Sequence, residues 1–313
     1  MKNILLIITS LFIFGLESSF SQTTKNWIGG SPPHVWSNGA FWSPAGVPTV
    51  NDIVIIAPSS VTSINIDVEA WCHSLETSNN ASLNINQRLN VRPGPTAPFG
   101  IANSGVIIGN AQIDIEHTGM SNSTAIGIHN RHGGIFSMNP GGWPKSITIA
   151  NLATGIHNEY IFRMYGGLIN DMTYDGIKNV IPNNIDSLTI KHDPIYNPFL
   201  LNAIGGHPLY NNKGKMVIEA RVDMANSINM QHCILFAENG DMASSLNAEI
   251  IVRAPNGEIL FPHSGFSNTI YGACVRRNGI VRVFGSLGFS GHTLSINSNG
   301  AIIAEPGGSI TGY

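Results

Sequence analysis

Apolar and polar positions alternate one by one in short bursts along most of this chain. The stretches "SINIDV" (63–68), "SLNINQRLNV" (82–91), "IDI" (113–115), "ITI" (147–149) and "LTI" (188–190) all follow this rule. A period of two puts successive side chains on opposite faces of a strand, so each burst predicts a half-buried β-strand. Beyond Ser21 no long window keeps the apolar period of a helix; "VEAWCHSLETS" (68–78) comes nearest and allows a single helical turn.

The bursts are set between recurring markers. "GIHN" occurs at 127–130 and 155–158, and the same frame holds in "FGIANSGVI" (99–107) and "DGIKNVI" (175–181). Gly100, Gly127, Gly155 and Gly176 are the repeated glycines of this frame. Downstream the marker becomes "NG", in "NGEI" (256–259), "NGIV" (278–281) and "NGAI" (299–302), with "NKGKMVIEARV" (212–222) bridging the two styles. Strand-and-turn units at this spacing, with no helix between them, predict an all-β solenoid: one coil cannot bury its apolar face alone, whereas stacked coils bury a continuous column. Asn and Gly are expected at the corners, where left-handed backbone costs little. At roughly 25 residues per coil, about 11 coils are expected, in a body roughly 50 Å long. Residues 191–211 break the period and read as an insertion rich in aromatics, leaving a 22–60 entry module and a 61–313 solenoid.

The repeat decides how the two GIHN histidines are read. The position of His129 and His157 is Ala102 in one unit and Lys178 in another. A ligand position is not expected to drift in this way, so the histidines are read as solvent-facing punctuation. "HNRH" (129–132) has zinc-compatible spacing but suggests no third ligand, and no metal or cofactor is expected.

Composition and the N-terminus narrow the picture. "MKNILLIITSLFIFGLESSFS" (1–21) has a basic start, a short apolar core and small residues before Ser21, which predicts a signal peptide cleaved there and a secreted or cell-surface protein. Its apolar run is too short to anchor the chain, so no transmembrane segment is expected in the mature protein. Only 11% of residues are charged and the net charge is −3, which gives no electrostatic footprint for nucleic acid. The three cysteines allow at most one intramolecular disulfide. Cys233 and Cys274 are separated by close to two marker periods. On one face they would sit two strand spacings apart, roughly 10 Å, which is too far to bond, and buried free thiols are expected.

The most specific stretch is the entry module. It carries W-x-G-G at Trp27–Gly30, W-S-N at Trp36–Asn38, W-S at Trp42–Ser43, G-x-P at Gly46–Pro48 and D-x-V-x-I at Asp52–Ile56. This pattern, with the GI-x-N coils behind it, resembles secreted, repeat-bearing adhesin-like proteins of the Bacteroidota over most of the mature chain. The resemblance implies a right-handed parallel β-helix outside the cell and a role in adhesion or carbohydrate contact. Such proteins commonly end in a sorting domain, and no such domain is recognised in the closing "GAIIAEPGGSITGY". The tryptophans are expected to form an N-terminal cap over the open first coil rather than sugar platforms.

An enzyme is the runner-up, a diverged β-helix polysaccharide lyase or glycoside hydrolase, since such chemistry needs a carboxylate pair. The candidates are Asp114, Glu116, Asp171 and Asp175. Asp114 and Glu116 alternate with Ile113 and Ile115, as does any strand's polar face. No adjacent Asp pair with Gly-His-Gly, no Walker loop and no G-x-S-x-G occurs. The candidate ligand-contacting residues are loop aromatics: Trp143 in "NPGGWPK", and Tyr196 and Tyr210 in the 191–211 segment, where Phe199 is expected to pack against a coil. The expected partner is an extracellular polysaccharide or cell-surface glycan, bound without catalysis.

Overall fold

The computed structural model describes residues 22–117, 124–139, 147–180, 186–192, 199–203, 207–224, 235–238, 248–261, 271–290, 293–297 and 299–312. Within these residues the chain is a β-solenoid of three faces. One coil runs Phe99–Asn103 on the first face, Val106–Gly109 on the second and Ile113–Glu116 on the third. The next runs Ile126–Asn130, Ile135–Met138 and Ile147–Ala150, and each strand pairs in parallel with its counterpart one coil back. The same pairing continues to the strand Ser309–Thr311. The first two faces merge into one 21-stranded sheet, while the third is a separate sheet of 10 strands. Among the described residues no helix is long and apolar enough to cross a membrane.

Alternation builds the core. Ile101, Ile128, Ile156 and Ile177 stack on the first face, each fully buried. On the second face the rings of Phe136 and Phe162 lie parallel, 4.7 Å apart. Each such side chain contributes roughly 1.5–3 kcal/mol by leaving water.

The GI-x-N marker has a different cause from the one expected. Its asparagines do not turn a left-handed corner. They form a buried column in which each side-chain amide donates to the carbonyl of the next: Asn103 to Asn130 (2.8 Å), Asn130 to Asn158 (2.8 Å), Asn158 to Asn179 (2.9 Å) and Asn179 to Asn211 (2.8 Å). The Thr77 hydroxyl opens the column by donating to Asn103. The marker's glycine is required by close approach: a Cβ on Gly127 would lie 2.6 Å from the Gly155 carbonyl and 2.7 Å from Ile149. Left-handed asparagines do occur at the later NG marker, in Asn278 (φ 60°) and Asn299 (φ 65°).

Three other expectations are corrected. "VEAWCHSLETS" is extended, as the strands Ala70–Cys72 and Ser74–Thr77, so Trp71 points outward between two buried neighbours. The 191–211 segment is not simply looped out. Phe199–Ala203 is a third-face strand paired in parallel with Gly167–Met172, across a bulge, and with Arg221–Met224; Phe199 is buried in the core, and the strand Leu209–Ile218, which serves the first and then the second face, begins inside the segment. Cys274 is disulfide-bonded, whereas Cys72 is a buried free thiol; Cys233 lies outside the described residues. The two-period argument failed because the coils here are longer than the markers implied. Phe236 is the rung neighbour of Cys274 one coil back.

The entry module packs tightly onto the first coil. Thr23–Trp27 pairs with Asp52–Ile56, and Val35 bridges Asn65 on the second face. Trp27, Trp36 and Trp42 are buried, with ring centres 4.9–5.0 Å apart in edge-to-face pairs, and the Trp42 indole donates to the Trp36 carbonyl. These three indoles are core, not platforms.

Candidate functional site

Two outward patches gather polar chemistry. On the third face, consecutive rungs align Trp71, Asn90 and Asp114. The Trp71 residue is 39% exposed, with the Arg92 guanidinium 5.4 Å from its ring centre. Asn90 is buried beside it and donates to the exposed Glu69 at 2.9 Å. Asp114 is shielded, accepting from Arg88 Nε at 2.6 Å and from Gln112 at 2.8 Å, while Glu116 is exposed with Arg92 at 3.7 Å. The two carboxylates share a strand, but each is closed by its own guanidinium. The patch is thus an exposed indole ringed by guanidiniums and carboxylates at rung spacing.

On the first face the outward row reads Ala102, His129, His157, Lys178, Tyr210 and Phe236. The strands set His129 and His157 one above the other, with ring centres 4.9 Å apart. Glu159 follows the second strand, and its backbone N–H donates to the Asn130 carbonyl. Its carboxylate lies 2.9 Å from His129 Nε2 and 3.6 Å from His157 Nε2. Burial, helped by the neighbouring His129 and Lys178, lowers His157 to about 4, so its ring is neutral at neutral pH. Burial alone would raise Glu159, but the hydrogen bond and charge of His129, with lesser help from His157 and the His132 N–H, hold it below its ordinary value.

Further along this row, Tyr210 is half-buried. Its hydroxyl reaches Glu238 at 3.3 Å, and its ring meets Phe236 at 5.1 Å and His207 at 5.4 Å. Burial, then Glu238, push its ionisation upward. Tyr210 is therefore packed among its neighbours rather than standing free as a platform.

The structure does not gather the sequence's carboxylates into one centre. Asp171 sits at a third-face bulge in left-handed conformation (φ 59°), two rungs along from Asp114 and Glu116, or roughly 10 Å by strand spacing. Asp175 lies in the turn before Ile177–Val180 and accepts the His207 backbone N–H at 3.1 Å. Trp143 and Tyr196 lie outside the described residues. Sequence reasoning missed two residues that the geometry brings forward. Trp71 was hidden by a helix-like pattern, and Glu159 stands just outside the repeated tetrapeptide. No protein-family model, no curated protein and no solved structure matches this chain.

Proposed function

We propose that this chain is a secreted, adhesin-like β-solenoid that contacts extracellular polysaccharide without cleaving it, of the kind its entry module resembles. In this reading residues 1–21 are a signal peptide, the body is a right-handed parallel β-helix of about 11 coils, and the tryptophan-rich module caps its first coil. The observation that carries the reading is the third-face patch around Trp71. The C–H face of a pyranose is apolar and packs on an exposed indole, while its hydroxyls need donors and acceptors around the rim. Glu69, Arg88, Arg92 and Glu116 supply those on an open sheet face, where each carboxylate is held by its own partner. An open face suits a long glycan lying across rungs better than a single sugar held in a cavity.

The test is a panel of polysaccharides incubated with the purified secreted chain, scoring protein retention and new chain ends in the same tubes. Retention without cleavage is expected, weakened about tenfold, or about 1.4 kcal/mol, by Trp71→Ala. Retention unchanged in Trp71→Ala would move the contact elsewhere. New reducing or unsaturated ends would overturn the non-catalytic reading and direct attention to Asp114 and Glu116.

A further inference from the structure

From the first-face cluster we infer a site for a divalent transition-metal ion, zinc-like in its preferences, held by His129, His157 and Glu159 with a fourth position open to solvent. This inference does not depend on the glycan patch, which lies on another face.

The geometry is close to what a small tetrahedral ion requires. Ligand atoms about 2.1 Å from zinc in a tetrahedron lie about 3.4 Å from one another. The Glu159 carboxylate oxygen is 2.9 Å from one imidazole nitrogen and 3.6 Å from the other, and all three ligand atoms fall within 4.8 Å. The side chains are 22%, 22% and 33% exposed, so an ion can enter from solvent while each ligand keeps a packed base. Two imidazoles and one carboxylate form a mixed N/O set. That set favours zinc and its first-row neighbours over calcium or magnesium, which prefer all-oxygen cages.

Three features of the fold hold the ligands ready. The residues following the two histidines, Asn130 and Asn158, are joined at 2.8 Å in the buried column, which fixes the histidines in register one rung apart. The Glu159 backbone is tied to Asn130 and its second carboxylate oxygen accepts the His132 N–H at 3.3 Å, so Glu159 straddles both coils. Such supporting contacts orient ligands in metal sites generally. Repeat drift does not argue against the site, because it needs only two adjacent rungs, not the whole row.

The test is calorimetric titration of zinc into the full secreted chain, purified without a polyhistidine tag and stripped with chelator. One ion per chain is expected, with micromolar or tighter affinity and a thermal midpoint that rises in excess zinc. His157→Ala and Glu159→Gln should each weaken binding by about tenfold or more, while His34→Ala, in the entry module several rungs away, leaves it unchanged. Glu159→Gln keeps an oxygen facing His129, so it carries the test if a histidine variant folds poorly. Cobalt(II) loading gives a second readout: the visible absorption of a four-coordinate N/O site, lost in the same variants. Absence of saturable zinc binding overturns the site, as does binding undiminished in a His129→Ala/His157→Ala double variant. Calcium binding as tightly as zinc would overturn the assignment of the ion.

Discussion

The coils from Phe99 to Asn211 and those beyond stack with the same parallel pairing, yet they lock their first-face corner differently. In the earlier coils that position is the asparagine column, each amide bonded to the next rung and fully buried. Beyond Asn211 the same row continues as Ala237, Val275 and Ile296. There the turns rely on left-handed Asn278 and Asn299, and the outer surface carries an ion-pair chain in which Arg282 meets Glu249 at 2.8 Å and Glu305 at 2.7 Å. Cys274 adds a covalent tie in this region. The first device is a connected network in which losing one member strands its neighbours. The second is a set of local choices, each largely independent of the next.

The largest effect expected from this contrast is at Asn130. Its amide donates to Asn158 and to the carbonyls of Gly134 and Ile161, and its carbonyl accepts from Asn103. Asn130→Ala removes all of these inside a site that water does not reach, at a cost of about 3 kcal/mol. Denaturant unfolding should show that loss together with increased hydrogen exchange in the coils on either side. A loss below about 1 kcal/mol would mean that the column is ornament and that the apolar stack alone sets the register.

The same residue type should behave differently at Asn278. Its φ of 60° is its main distinction, so Asn278→Ala is expected to cost about 1 kcal/mol. Asn278→Gly should be neutral or slightly stabilising. At Asn130 glycine should be no better than alanine, because the side chain there is a bonding partner rather than a conformational convenience. If Asn278→Gly proves as damaging as Asn278→Ala in thermal unfolding, its side chain holds a contact and the two halves are less distinct than their geometry suggests.

This pair of asparagines also marks how far the sequence could be read. The marker spacing disclosed the solenoid, because a stacked coil must repeat its inward residues. Spacing does not say why a repeated residue is there, and an asparagine serves equally well as a turn or as a ladder. What lay outside the repeat was harder to see. Glu159 reaches His129 across 30 residues, and only the register of the two strands makes them neighbours. Drift from Ala102 to Lys178 argued against a shared site along the whole row, but adjacent rungs alone can make one. Coil length misled in the same way at Cys274, where the chain between rungs is longer than the markers implied. Asp114 and Glu116 were legible as outward carboxylates, whereas their individual guanidinium partners, Arg88 and Arg92, depend on which rung follows which.

The smallest effect should come from the ion-pair chain. Arg282 is partly exposed and its two carboxylate partners only moderately shielded, so water and salt weaken what each contact contributes. Arg282→Met keeps the aliphatic stem on the sheet and removes only the charge. A loss of less than about 1 kcal/mol is expected at low ionic strength, shrinking toward zero in molar salt, where screening acts within about 3 Å. Chemical unfolding at the two salt concentrations measures both quantities. A salt-independent loss as large as that of Asn130→Ala would show that the later coils are also held by a connected polar network, one displaced from the buried column to the outer surface.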